Sequence, residues 1–256
     1  MTNSVDTLAG VAAVKGKLAI TAAYKFVALA VMLTNCNLFV QQTQLPLDQP
    51  LSFTNIMLSR CSVAPPRLLG FSGGVQTEKY FFGFGHDHLA NFWQWEFRPQ
   101  NLRAKQIEWS QMTSQIGTNE VHTLAVSWLN NLGVDTQTME QKYPCNITQK
   151  FYYKNSNGSL TPLDKAKVML PIYIISWGSI PLESRPEYSM PAATMTIFGP
   201  TKELIEYHLL DDSLMLGPKL EVKDFENLLT ISNAQFYKFD NMQRSNLIMQ
   251  FGNGSP

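Results

Sequence analysis

The most regular hydrophobic pattern in the chain lies between Thr118 and Leu132. Its apolar positions recur every three or four residues, which is the spacing of one buried helix stripe; they are Val121, Leu124, Ala125, Trp128, Leu129 and Leu132. Thr118 is a favourable N-cap, and Gly133 supplies the left-handed residue that often ends a helix. The pattern predicts a helix over 118–132, with Leu124 and Trp128 buried. A shorter helix is predicted over 136–143.

Downstream of Pro144 the hydrophobic period changes to two, which is typical of strands with one buried face. The predicted strands cover 147–154, 168–177, 194–198 and 204–209. Pro171 interrupts the second of them, so we expect a sheet edge or a β-bulge there. One helix followed by four antiparallel strands predicts an α+β module. Beyond it, we expect a short helix over 224–231 and a strand over 235–239.

An aromatic block upstream of the helix predicts two further strands, over 80–84 and 91–97, joined by a turn at 86–88. A proline-rich stretch with a short amphipathic helix over 53–61 precedes this block. The whole pattern predicts an α+β fold, with antiparallel sheet and helices packed on one face. One compact unit and two similar lobes divided near 105–117 both remain open.

The N-terminal region has the pattern of an export segment. Lys15, Lys17 and Lys25 precede the apolar run 26–33, and no acidic residue lies between Asp6 and Asp48. A basic region followed by about 7–15 apolar residues is typical of a secretory signal peptide. We therefore expect an exported protein, periplasmic or extracellular, with no stable membrane span once the segment is removed.

The cleavage point of this segment is only loosely defined, because no A-x-A pattern follows the apolar run. We expect it between Cys36 and Gln44. The stretch 33–36 resembles a bacterial lipobox except for Asn35, so lipid anchoring at Cys36 and an uncleaved chain are the alternatives. The predicted division is an export segment 1–44, a proline-rich entry with a β-rich lobe 45–116, a helix-plus-sheet lobe 117–240 and a polar tail 241–256.

Composition narrows the class of function. The 256 residues carry 20 basic and 20 acidic side chains, so the formal net charge is zero. A neutral chain has no excess of Lys and Arg to follow a phosphate backbone, so we expect no nucleic-acid partner. Hydrophobic residues make up 45% of the chain, enough for a folded core. Dinucleotide, P-loop and metalloprotease motifs are absent from the sequence, and no cofactor is predicted.

The stretch 118–212 resembles a PepSY-type module, in which a helix packs on an antiparallel sheet. In that family the last hairpin often follows V-x-V-D-x-x-T-G-x-V, and the counterpart here is 196–204. Gly199 replaces the family's Asp, and Lys202 replaces its Gly. The resemblance covers about a third of the chain and is one of topology. It implies an envelope location and a role in restraining peptidases, with no catalytic residues.

A candidate nucleophile lies in the stretch 70–74, which matches the G-x-S-x-G elbow of serine esterases around Ser72. The elbow depends on a helix that starts directly behind the serine. Here strand-like sequence follows, and the partners would be His208 and Asp211 on a predicted hairpin. A glycine-rich turn is therefore the preferred interpretation, and a small hydrolase using Ser72 is the alternative.

A second candidate site lies at the predicted turn 86–88. His86 and His88 are two residues apart, so on a strand both imidazoles would face one metal ion. A third ligand would have to come from His122 or His208. An exposed polar turn is the preferred interpretation, and a metal site at His86 and His88 is the alternative.

Alternation in the strand 91–97 places Trp93, Trp95 and Phe97 on one face. Such a stripe can stack on a sugar ring or a peptide, although aromatic stripes more often belong to a core. We take Trp93 and Trp95 as the candidate binding residues.

The cysteine count allows one disulfide. Removal of the export segment would leave Cys61 and Cys145, which could pair in an oxidising compartment, whereas two unpaired buried thiols are the alternative.

Taken together, the residues favour a non-catalytic exported binding or interaction protein. Its partner would be an unknown protein or peptide, and restraint of a peptidase is the function that the PepSY resemblance implies. The alternative is a small exported hydrolase that uses Ser72 or a metal site at His86 and His88.

Overall fold

The computed structural model describes residues 28–52, 55–62, 72–85, 88–114, 116–154, 166–182 and 185–216. The helices in these residues are α1 (28–43), α2 (Pro99–Ser110), α3 (Thr118–Asn131) and α4 (Thr136–Lys142). The first strands are β1 (Met57–Ser62), β2 (Ser72–Gln76), β3 (Tyr80–Gly85), β4 (His88–Gln94) and β5 (Cys145–Lys154). The later strands are β6 (Ala166–Trp177), β7 (Ile180–Leu182), β8 (Arg185–Met190), β9 (Ala193–Phe198) and β10 (Glu203–Leu209). This is an α+β fold, as predicted.

Eight strands form one antiparallel sheet in the order β1-β2-β3-β4-β10-β9-β6-β5, and β7 pairs separately with β8. The first four strands form a meander in chain order. The last four form a second meander, interrupted by the β7–β8 hairpin. Pairing of β4 with β10 joins the two meanders edge to edge.

The two halves of the chain share one plan. Each consists of a helix, α1 or α3, followed by a four-stranded antiparallel meander, and each ends at the central junction. The second half adds α4 between its helix and its first strand. The similar lobes considered from the sequence are thus two halves of a single sheet.

A continuous apolar row crosses the sheet on its helix-covered face. Each member is the cross-strand partner of the next, in the order Val75, Phe82, Phe92, Tyr207, Met195, Ile175 and Ile147. All of these side chains are buried except Ile147, which is partly buried against the same cluster. The row carries the hydrophobic core across the β4–β10 junction.

Helix α1 covers the middle of this row. Phe39 is 1% exposed, and its ring centroid lies 4.9 Å from that of Phe92 and 6.0 Å from those of Phe82 and Tyr207. Phe39 on α1 therefore contacts strands from both halves. Helices α3 and α4 extend the same core through Leu129 and Met139.

Helix α2 packs on the opposite face. Its Trp109 joins a second cluster with Leu170, Ile172, Phe198 and Ile205. In β6, Leu170 and Ile172 alternate with Tyr173 and Ile175 of the first cluster, so the two clusters occupy opposite faces. The described helices thus cover both faces of the sheet. The prediction that the helices pack on one face holds for α1, α3 and α4 but not for α2.

Most predicted elements in the second half are confirmed. Helices α3 and α4 and strands β5, β6, β9 and β10 lie where the periodicity places them. Pro171 lies on β6, which is an interior strand between β9 and β5. The irregularity expected there is a shift in the β5–β6 register, which falls between Gln149 and Phe151 of β5. The N-cap of α3 is Gly117 rather than Thr118, and Gly133 has the expected positive φ of 81°.

In the remaining sequence, two predictions are wrong and a third lies outside the described residues. The segment 53–61 is not a helix in its described part, which begins strand β1 at Met57. The strand expected over 91–97 ends at Gln94, and Trp95–Phe97 form a 3-10 turn that leads into α2. The elements expected over 224–239 lie outside the described residues.

The apolar run that suggested an export segment contributes to α1. The buried residues of this helix include Leu29, Met32, Cys36 and Phe39. Cleavage between Cys36 and Gln44 would remove most of α1 from the core, so the structure argues against a mature chain that begins there. No helix among the described residues is long and apolar enough to span a bilayer.

Replacement of Phe39 by alanine tests this role of α1. Because Phe39 is enclosed by three aromatic rings, we expect Phe39→Ala to lower the free energy of unfolding by about 3–5 kcal/mol. The adjacent Leu38 is 48% exposed, so Leu38→Ala is the matched control, with an expected effect within about 0.5 kcal/mol. Urea denaturation followed by circular dichroism measures both, and equal effects would place α1 outside the core.

Candidate functional site

The side of the molecule that carries α1 and α3 contains a cleft of about 620 Å³. It lies between the end of α1, the exposed side of α3 and the turn from β9 to β10. We call it the helix cleft, and its lining consists of Thr43, Gln44, Pro46, Glu120, Thr123, Leu124, Ser127, Trp128, Thr201, Lys202 and Glu203. Its volume is within the range of about 300–1,000 Å³ that is typical of ligand sites.

Charged side chains line one end of the helix cleft. The ammonium of Lys202 lies 2.6 Å from Oε1 of Glu120, so this ion pair links the β9–β10 turn to the first turn of α3. The buried amide of Gln94 donates from Nε2 to Oε1 of Glu203 at 2.9 Å and thereby fixes the second carboxylate. Two carboxylates and one ammonium therefore line the same cleft.

The backbone at the helix cleft is strained at two points. Gln44 and Lys202 both have φ of 56°, and they are the non-glycine residues with positive φ in the described part of the chain. Left-handed backbone costs a residue with a Cβ atom about 1–2 kcal/mol. Gln44 follows the last turn of α1, where Leu45 N donates to the Val40 carbonyl. Such strain is common at turns and helix ends, and it also concentrates at ligand sites.

The apolar side of the helix cleft comes from the predicted helix stripe. Trp128 is 6% exposed, which confirms its predicted burial. The prediction that Leu124 is buried is wrong, because this side chain is only partly buried: it packs against the core cluster and also lines the cleft. Thr123 and Ser127 add hydroxyl groups beside it, so the lining combines apolar and hydrogen-bonding groups.

The candidate binding residue Trp93 has both ring faces occupied. Phe81 stacks on it with centroids 4.0 Å apart, and the guanidinium carbon of Arg98 lies 3.8 Å from its centroid. Because the phenyl ring already covers one face, the cation takes the other. A sugar ring therefore has no face of Trp93 on which to stack.

The predicted aromatic stripe divides into three environments. Phe97 stacks on Trp109 under α2, with centroids 4.8 Å apart, and belongs to the second core cluster. Trp95 lies in the 3-10 turn and meets Trp93 edge to face at 5.9 Å. The indole nitrogens of Trp93 and Trp95 are buried with no hydrogen-bond partner among the described residues. Trp93, Trp95 and Phe97 thus mainly pack against other side chains of the protein.

Around Arg98, the sheet face opposite α1 carries a small charged network. Arg98 lies 3.8 Å from Glu206, and Nε2 of His208 lies 3.1 Å from the same carboxylate oxygen. The contact with His208 lowers the pKa of Glu206 against the effect of burial, and the charge of Arg98 adds to this. The network brings together a carboxylate, an imidazole and a guanidinium.

Ser72 is the first residue of strand β2, where its partner is Ser62 on β1. Strand β2 continues to Gln76, and the next element is β3. No helix starts behind the serine in this described stretch, so the backbone of a nucleophile elbow does not form. His208 contacts Glu206, and the sheet places Asp211 with other partners.

Asp211 is the centre of a hydrogen-bond cluster that connects α4 to the end of β10. Its Oδ2 accepts from Tyr143 at 2.6 Å and from Lys142 at 2.9 Å, and its Oδ1 accepts from Ser213 N at 3.1 Å. Burial alone would raise the pKa of Asp211, but the hydrogen bonds from Ser213, Tyr143 and Lys142 outweigh it and hold that pKa well below its usual range. The cluster is a structural connection.

Of the proposed metal pair, His88 begins β4, and its Nε2 lies 3.2 Å from Oδ1 of Asp212. His86 lies outside the described residues. The third ligand candidate, His122, lies on α3 and pairs with Glu140 at 2.8 Å. His122 on α3 pairs with Glu140, and His208 on β10 pairs with Glu206. The two imidazoles thus lie on separate elements, each with its own carboxylate partner.

The candidate disulfide between Cys61 and Cys145 does not form, and the alternative of unpaired thiols holds for Cys145. Cys61 lies on β1 and Cys145 on β5, which are the opposite edges of the eight-stranded sheet. Strands are about 4.8 Å apart, whereas a disulfide needs Cα atoms within about 7 Å. The thiol of Cys145 is free and exposed.

No local sequence pattern predicts the helix cleft, although one of its lining residues carries a signal. Lys202 stands where the resembled hairpin has glycine, and that position has positive φ. Helix α2 was also missed, because its apolar residues follow no clear period. Its proline at the first helical position was the available signal. The contact of Arg98 with the Trp93 ring forms only in the folded protein, so no sequence pattern predicts it.

No protein-family model, curated protein or solved structure matches this chain.

The Asp211 cluster predicts a specific pH dependence. The folded-state pKa of Asp211 is lowered, so its stabilisation is present above the ordinary aspartate pKa of about 4 and is lost as pH falls below it. We expect Asp211→Asn to cost about 1.5–3 kcal/mol at pH 7 and progressively less below pH 4, measured by urea denaturation. Asp48→Asn is the control, because that side chain is 96% exposed. A pH-independent difference would contradict the cluster's role.

Thiol accessibility tests the cysteine assignment. In the folded protein at pH 8.5, iodoacetamide should modify Cys145, which is exposed, and leave Cys36, which is 0% exposed. Both should react after denaturation. Burial and the charge of Glu140 raise the pKa of Cys145, so we expect slow labelling at pH 7. Peptide mass mapping identifies the sites, and a protected Cys145 would favour a bonded thiol.

Proposed function

We propose that this chain is a non-catalytic binding protein whose ligand, a peptide or protein segment, occupies the helix cleft. The observation that carries the proposal is the cleft itself, in which apolar, hydroxyl and charged groups converge in a volume suited to a few residues. Trp128 and Leu124 provide apolar contact, and Thr43, Thr123 and Ser127 provide hydrogen bonds. Apolar contacts and hydrogen bonds of this kind can hold a ligand without a catalytic residue.

Export and peptidase restraint remain parts of this proposal. The basic region before α1 and the PepSY resemblance of 118–212 favour an envelope protein that holds a peptide-like segment. Because α1 is part of the core, we propose that the exported, folded form retains residues 28–44. A partner held in the helix cleft would contact both halves of the chain, since Gln44 follows α1 and Ser127 lies on α3.

The alternative, a hydrolase using Ser72, has less support. Ser72 lies in a strand, and His208 and Asp211 are bonded to other groups. The wild-type protein should not turn over activated esters above background, and a serine-directed phosphonate should not label Ser72. Stoichiometric labelling of this serine would favour the hydrolase instead.

Selection of displayed linear peptides tests the proposal directly. We expect the purified wild-type protein to enrich a common peptide pattern, and Ser127→Trp to abolish capture of those peptides because the indole fills the helix cleft. The matched control is Asn131→Trp, which adds the same side chain to an exposed site on α3 outside the cleft lining.

Circular dichroism should show that both variants are folded. Peptides that bind the Ser127→Trp and wild-type proteins equally would place the site elsewhere. Failure to enrich any peptide would contradict the proposed function.

A further inference from the structure

We infer that the helix cleft recognises a positively charged side chain, lysine or arginine, of the bound peptide. This inference rests on the proposed function and names its ligand chemistry. The charged groups of the lining are Glu120, Glu203 and Lys202, so the cleft carries one negative charge more than it neutralises. A ligand cation supplies the missing positive charge.

Lys202 marks the position of the ligand cation. Its ammonium lies 2.6 Å from Oε1 of Glu120, and the two side chains are 45% and 52% exposed. An exposed pair of this kind contributes at most about 1 kcal/mol, so an entering cation can displace the ammonium at little cost. The turn that holds Lys202 is itself strained, with φ of 56°. Lys202 thus acts as an internal occupant that a ligand replaces.

Glu203 is positioned independently of this pair. Gln94 donates to its Oε1 at 2.9 Å, while its Oε2 accepts from Thr201 Oγ1 over a longer distance of 3.4 Å. The second oxygen is therefore the weaker-bonded one and is available to a donor in the cleft. Two carboxylates on different elements, one on α3 and one on β10, can share one ligand cation.

The charge of Glu203 also acts on Tyr80, whose side chain contacts the cleft lining. The hydroxyl of Tyr80 donates to the carbonyl of Pro46, which is part of the lining. Burial raises the pKa of Tyr80 to about 12, and the charges of Glu203, Asp48 and Glu96 contribute to this rise. Of these three carboxylates, Glu203 belongs to the cleft lining.

The remaining lining fits the rest of a lysine or arginine side chain. Such side chains have long methylene stems that pack on apolar surface while the charged end stays polar. Leu124, Trp128 and Pro46 provide that surface beside Glu120. An acidic side chain would meet Glu120 and Glu203 and would compete with them for Lys202.

Three acetylated pentapeptides test the inference. They share a Ser-Leu-x-Leu-Ser frame and carry lysine, methionine or glutamate at x, and their dissociation constants are measured by NMR titration at low salt. We expect the lysine peptide to bind most tightly to the wild type. Lys202→Met should tighten its binding by up to about five-fold, and Glu120→Gln should weaken it by a similar factor.

Lys105→Met is the matched control for the lysine replacement. Lys105 lies on α2, pairs with Glu96 and is not part of the cleft lining. We therefore expect Lys105→Met to leave the affinity for the lysine peptide unchanged. Tightest binding of the glutamate peptide, with weaker binding in Lys202→Met, would overturn the inference and make Lys202 the ligand's anchor. Failure of the lysine peptide to bind would also overturn it.

Equal binding of all three peptides would contradict the charge preference alone. The proposed function would then stand if Ser127→Trp still abolished that binding, so the two failures are distinguishable.

Discussion

The antiparallel pairing of β4 with β10 joins the two halves of the chain, and the core, the helix cleft and the sheet face that carries Arg98 all depend on it. Phe92 and Tyr207 are cross-strand partners at this junction, and both are buried beneath Phe39 of α1. Without the pairing, each four-stranded meander would expose the edge of its last strand. The junction therefore converts two small α+β units with separate edges into one sheet.

The same junction determines where a ligand can bind. It places α1 of the first half and α3 of the second on one face of the sheet, and the helix cleft lies between the end of α1, the exposed side of α3 and the β9–β10 turn. On the other face it brings Trp93 of β4 beside Glu206 of β10, where Arg98 contacts both. That face uses its aromatic groups in mutual contacts, whereas the cleft leaves hydroxyl and charged groups exposed to a ligand.

Local periodicity predicts much of this fold and little of the candidate site. The stripe from Val121 to Leu129 and the alternation in β5 are encoded within short windows, so the second half of the sheet could be predicted. The apolar run in α1 has the same composition as a signal segment, and only contacts with Phe82 and Tyr207 distinguish a core helix. The Lys202–Glu120 pair joins residues 82 positions apart, which no local pattern reveals.

Disulfide trapping at the β4–β10 junction tests the account most directly. Asn91 and His208 are cross-strand partners, and such pairs have Cα atoms about 4.5–5.5 Å apart, within reach of a disulfide. In a Cys145→Ser background, Asn91→Cys with His208→Cys should form the bond on mild oxidation. The off-register pair Asn91→Cys with Glu206→Cys should not. Absence of the first bond, or equal formation of both, would contradict the joined sheet.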